Sequence, residues 1–293
     1  MGLFGRKKKD EEVEPSKWAV SKAKKDAENA KFEAMVEASL SCSSKGDDFL
    51  EIGQVEEAIA CYDEAIKICP SESVPWANKG KVLFELERFE EAIACYDEAI
   101  KQYIPYGYGS STIDLYNAWC VKGNSFYRLG KSEEAIACYD EAIRLDHPKS
   151  RYCETDLYAV WDRKGNSLFK IGKIEEAIVC WDKVLLITPE NHAVWKNKGA
   201  ALTHLERHEE AIVCYDESIR LEPEISDAWF AKGISLLREL ERYEEAIVCY
   251  DKVIQLEPKN SFAWNHKGKA LLDLGRDEEA EQCFAKAREL DES

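Results

Sequence analysis

The chain has 293 residues, 45% of them hydrophobic and 33% charged, and a formal net charge of −17. Its apolar content is enough to fold most of its length. Its acidic balance argues against nucleic acid as a ligand, because neutralising phosphates takes concentrated Lys and Arg, and instead favours solubility and a basic partner. No run reaches the ~18 apolar residues of a membrane span, so an integral membrane protein is not expected.

Residues 1–15 read as a charged, disordered tail, basic first and acidic second. Gly2 suits N-myristoylation, but Arg6 stands where that signal wants Ser or Thr. Leu3 and Phe4 beside Arg6, Lys7, Lys8 and Lys9 leave weak contact with an anionic membrane surface as an alternative. No signal-peptide hydrophobic region is read. Residues 16–38 read as a helix whose Val20, Ala23, Ala27, Ala30 and Ala34 form one narrow stripe. The expected role is a lid over the apolar face of the segment that begins at residue 39, with a dimer seam as the alternative.

From residue 39 one spacing returns: Trp, Gly four later, and a Cys-aromatic pair fifteen or sixteen residues after the Gly. The copies span 39–72, 73–106, 116–149, 158–191, 192–225, 226–260 and 261–293. Trp119, Gly123 and Cys138-Tyr139 show the spacing plainly, and Cys42 takes the Trp place in the first copy. A period near 34 residues means one helical hairpin used repeatedly. In the second helix of the first copy, Ala58, Ile59, Cys61, Tyr62, Ala65 and Ile66 share one face. Glu pairs such as Glu56-Glu57 open the second helices, where carboxylates suit the positive end of the helix dipole. Pro70, Pro189, Pro223 and Pro258 close copies. Gly inside the first helix costs about 1 kcal/mol of helix propensity, which predicts close approach of another helix there.

Seven of the eleven cysteines occupy one repeat position: Cys61, Cys95, Cys138, Cys180, Cys214, Cys249 and Cys283. Cys used this way reads as a small core hydrophobe in a reducing cytoplasm. No Cys-x-x-Cys pair suggests zinc. His204 and His208 are four apart, but His208 is expected in the turn between helices, so no metal site is expected.

The Trp, the Gly, the Ala sixteen after the Trp (Ala92, Ala135, Ala177, Ala211), the aromatic and the closing Pro together resemble the tetratricopeptide repeat, over residues 39–293. Lys before the Gly and Cys-Tyr-Asp in the second helix look like prokaryotic or archaeal members. The resemblance implies an all-α, right-handed superhelical solenoid of seven antiparallel helix pairs, here preceded by an N-terminal helix, with a concave groove lined by the first helices. It implies a non-enzymatic scaffold that binds a protein or peptide partner, without a cofactor. The groove positions, carried over by register, are two before the Trp and one, five and eight after it. The candidates are Lys81, Phe84, Asn124, Tyr127, Asn166, Phe169, Lys196 and Phe230, joined by Asn78. Asn124 and Asn166 can donate and accept along a peptide backbone, and the aromatic rings are anchors with few rotors. Asn78 and Asn197 match the Asn with which some members grip chaperone tails, but Asp162 and Asp227 near Asn197 would repel a carboxylate. A homo-oligomer built on the Ala stripe or on the aromatic insert is the alternative function.

Three comparisons among the copies carry further expectations. Ile59 and Ile66 recur up to Ile247 and Ile254, whereas the last copy holds Glu281 and Arg288, so these positions are expected to face the following repeat. Each Asp after the Cys-aromatic pair is expected to meet the Lys of the next copy, as in Asp63–Lys79 and Asp251–Lys267. The period breaks before the third and fourth copies, at 107–115 and 150–157, and these insertions are expected to add about one turn to the first helix.

Overall fold

The computed structural model describes residues 17–103, 112–145, 154–238 and 242–292. The basic tail, residues 104–108 of the aromatic stretch 103–108, residues 107–111 of the first insert and residues 150–153 of the second therefore lie outside the described residues. Within them the secondary structure is fourteen α-helices, divided between two units, residues 1–111 and 112–293. In each unit consecutive helices form antiparallel pairs, and each pair packs on the next.

The first unit holds α1 (Lys17–Glu51), α2 (Val55–Ile68), α3 (Ser73–Glu85) and α4 (Phe89–Gln102). The expected joint between residues 38 and 39 is not a break. No Gly or Pro interrupts Glu37-Ala38-Ser39-Leu40, so α1 continues into the first hairpin as one 35-residue helix. From Val36 onward one face is buried, through Ser39, Ser43 and Gly46. Residues 21–35 are exposed throughout, so Ala23, Ala27, Ala30 and Ala34 cover nothing within this unit.

The second unit holds α5 (Thr112–Arg128), α6 (Ser132–Leu145), α7 (Glu154–Lys170), α8 (Ile174–Ile187), α9 (His192–His204), α10 (His208–Leu221), α11 (Ser226–Arg238), α12 (Tyr243–Leu256), α13 (Ser261–Asp273) and α14 (Asp277–Asp291). Helices α5 and α7 have 17 residues against 13 in α9, α11 and α13. The four extra residues are about one turn, as the insertions led us to expect.

One seam is repeated inside every hairpin. A Cβ added to Gly46, Gly80, Gly123, Gly165, Gly199, Gly233 or Gly268 would come within 2.6–3.0 Å of the Tyr, Trp or Phe ring of its partner helix. That is why Gly is kept despite its helix penalty. Around each ring the small residues close the gap: Ala58, Tyr62 and Ala65 are all 0% exposed. The Ile positions face onward. Ile59 packs with Val82 and Leu83 of the next hairpin, and Ile247 with Ala270 and Leu271. In α14 the same places carry Glu281 and Arg288, both exposed and paired to each other at 2.7 Å.

The expected Asp–Lys ladder is present wherever both partners lie in one unit. Lys79–Asp63, Lys164–Asp140, Lys198–Asp182, Lys232–Asp216 and Lys267–Asp251 meet at 2.5–2.6 Å. Several of these Lys also lie over the Trp three residues before them, Lys164 at 5.3 Å and Lys198 at 5.6 Å from the ring centre. A latch not expected from the sequence joins hairpins end to end. Trp76, Trp195, Trp229 and Trp264 donate their indole N–H to the carbonyls of Pro70, Pro189, Pro223 and Pro258. Pro thus stops the helix and presents the carbonyl that fixes the next Trp.

Candidate binding groove

The first helices of the second unit form one wall, and its continuity rests on side chains that touch from each hairpin to the next. Lys170 of α7 lies 4.3 Å from the ring centre of Tyr127 on α5. Phe169 meets His204 of α9 edge-on at 5.2 Å, and Asn197 donates to Asn166 at 3.4 Å. Lys196 pairs with Asp227 of α11 at 3.1 Å. Phe230 meets His266 of α13 at 5.1 Å. Five of the nine candidates therefore lie along one row, Tyr127, Asn166, Phe169, Lys196 and Phe230, whereas Asn124 of α5 meets Tyr139 of its own hairpin. In the first unit Lys81 is exposed, Asn78 donates to Ser43 and Asp47, and Phe84 packs edge-on against Phe89 at 5.6 Å.

The two asparagines chosen for a peptide backbone already have partners. Asn124 accepts the Tyr139 hydroxyl at 3.0 Å, and Asn166 accepts from Asn197 while hydrogen-bonding Asp162. Each has capacity left, since an amide carries two donors and two acceptor sites, but each also stiffens the wall. Tyr127, Phe169 and Phe230 are half-buried, so part of each ring remains accessible.

Burial holds the Asp162 carboxyl above the ordinary aspartate range, partly offset by the Trp181 indole N–H that donates to it at 3.2 Å. The repeated thiols are chemically quiet. Burial pushes Cys95, Cys180, Cys214 and Cys249 up to about 11, so they stay protonated at neutral pH and act as packing. His204 closes α9 and His208 opens α10, so the two sit on different helices rather than on one helical face. Among the described residues no group of three His, Cys, Asp or Glu is arranged to hold a metal ion, and no helix is long and apolar enough to cross a membrane.

The row also includes Lys170, His204 and His266, which lie outside the groove positions carried over by register. Lys170 and His204 both stand nine residues after their Trp, one place beyond the last of those positions. That shared offset was the available signal.

Tetratricopeptide repeat signatures match residues 41–72, 71–146, 192–225, 235–275 and 261–293, which together exceed half of the chain. No curated protein matches it. Among solved structures, the fold is similar to YrrB, described as a TPR protein with an unusual peptide-binding site. The two share 19% identity, with a TM-score of 0.57 over 69% of this chain and 95% of that one. It is also similar to MamA, at 22% identity, with a TM-score of 0.54 over 58% of this chain and 94% of that one. A third likeness is to MamA from Desulfovibrio magneticus RS-1, at 22% identity, TM-score 0.55, over 62% and 97% of the two chains.

Proposed function

The chain belongs to the tetratricopeptide repeat family, whose domains mediate protein–protein interactions, and on that premise we propose that it is a non-enzymatic scaffold holding a peptide segment of a protein partner along the first-helix wall of its second unit. The observation that carries the reading is the unbroken row from Tyr127 to His266, in which half-buried aromatic rings alternate with amide and charged groups. Aromatic anchors supply contact area at small entropic cost, and the polar groups between them fix the register of a bound backbone. No cofactor enters the proposal. The quiet thiols suit a reducing compartment such as the cytoplasm. The test is affinity capture with the full chain and with Tyr127→Ala/Phe169→Ala. Loss of a specific protein partner by the variant, with its helix content unchanged, is expected. Equal recovery by both would remove the wall from the account.

Self-assembly is a second reading, favoured by a specific observation. Residues 21–35 of α1 present fifteen exposed residues, among them Phe32, 47% exposed, and Met35, 36% exposed. A surface of this kind on a helix that continues from a packed hairpin suits a second copy of the chain. Sedimentation across a hundredfold range of concentration decides it: a strict monomer throughout ends this reading, whereas a dimer lost in Ala27→Glu/Ala30→Glu supports it.

A further inference from the structure

A notch of about 210 Å³ opens in the wall between α9 and α11. Ala200, Ala231 and Ile234 form its sides, Thr203 and Tyr215 its floor, and His204 and Arg238 its rim. Its origin is visible in the repeat register. The place five after the Trp holds Asn124 in α5 and Asn166 in α7, but Ala200 in α9. The amide that α5 and α7 carry at this place is absent there, and Ala231 of α11 lines the space.

The floor asks for nothing polar. The Thr203 hydroxyl lies 3.0 Å from the Gly199 carbonyl, 3.1 Å from the Tyr215 hydroxyl and 3.0 Å from the Ser235 hydroxyl. These groups satisfy one another, so an incoming hydroxyl or amide would exchange water bonds for none, whereas an aliphatic group loses nothing on entering. The rim is different. Arg238 is exposed and makes no ion pair among the described residues, and its planar fork matches a carboxylate.

We propose that this notch is the anchoring subsite of the wall, taking an aliphatic side chain of the partner segment whose neighbouring Asp or Glu pairs with Arg238. The inference rests on the wall being the binding face and names the chemistry of what binds there. It sets a local cationic, aliphatic-seeking subsite against the acidic charge of the whole chain, so a partner selected here is acidic at the anchor even if it is basic elsewhere.

The probe is a random dodecapeptide display library selected on the immobilised full chain, followed by anisotropy titration of the recovered peptides. Recovered peptides are expected to share an aliphatic residue beside Asp or Glu. Their Kd is expected to rise at least tenfold in Arg238→Glu and in Ala231→Phe, which fills the notch. Should Ala231→Phe fail to fold, Arg238→Glu, at an exposed site, still decides the matter. Peptides weakened by Tyr127→Ala/Phe169→Ala yet indifferent to Arg238→Glu and Ala231→Phe would overturn the notch and leave the wall standing. Peptides indifferent to every one of these changes, or recovery of none, would overturn both.

Discussion

The seam inside each hairpin and the wall of first helices obey opposite rules. The seam is copied: Gly faces an aromatic ring in all seven hairpins, at nearly the same distance. The wall is varied: the place five after the Trp runs through Asn124, Asn166, Ala200 and Ile234 in the second unit. A seam position touches only its own hairpin and the next, so one solution serves everywhere. A wall position is half-buried, so the fold dictates less of its chemistry. Variation at the wall beside a constant seam is what a shared scaffold with an individual ligand should show.

The comparison can be broken most forcefully at the seam. Gly199→Ala places a Cβ within 2.7 Å of the buried Tyr215 ring, and overpacking of this kind costs about 2 kcal/mol. Gly123→Ala, equally close to Tyr139, should cost the same in urea unfolding. A loss at one site and none at the other would mean that the seam is not the common element it looks to be.

The Trp–Pro latch offers a sharper contrast. Trp195→Phe removes the bond to the Pro189 carbonyl, whereas Trp119 makes no such bond among the described residues. Beyond the shared loss of packing, Trp195→Phe should cost about 1 kcal/mol more than Trp119→Phe, read from paired unfolding curves. Equal costs would show that the latch contributes nothing. The hairpin turns give an effect of opposite sign. Gly53, Gly130, Gly172 and Gly275 take positive φ, and Glu87 and Glu206 occupy the same place at φ 58° and 60°. Left-handed backbone is unfavourable for a residue with a Cβ, so Glu206→Gly should stabilise by about 1 kcal/mol after Gly's own entropy is counted. A raised Tm checks this, and an unchanged or lowered one refutes it. The smallest effect is expected on the ladder. Asp216→Ala leaves Lys232 without its 2.6 Å partner, yet the carboxylate is half in water, so the loss should be about 0–1 kcal/mol and should shrink in high salt.

Much of the seam was legible in the sequence, because its demands are local and recur. Gly in a helix needs a close neighbour, Ile at a fixed place needs a following repeat, and Asp and Lys at fixed places find each other. The lengthened α5 and α7 followed from two insertions that end alike. What escaped has physical reasons. No breaker marks the passage from residue 38 to 39, so nothing announced that α1 would run through it. Glu87 and Glu206 hid the left-handed turn that Gly signals elsewhere. The hydrogen bonds that occupy Asn124 and Asn166 depend on where Tyr139 and Asn197 end up in three dimensions. The notch is made by a side chain that is missing, and the sequence shows it only when Ala200 is compared with Asn124 and Asn166.

The second helices carry an alternative face, since Val179, Val213 and Val248 are 55–62% exposed at one repeated place. A footprint separates the two faces. Hydrogen–deuterium exchange of the full chain should be measured with and without a saturating peptide recovered by display. We predict added protection in α7, α9 and α11 with α8, α10 and α12 unchanged. Protection centred on α8, α10 and α12, with α9 and α11 unaffected, would contradict the assignment of the first-helix wall as the binding surface.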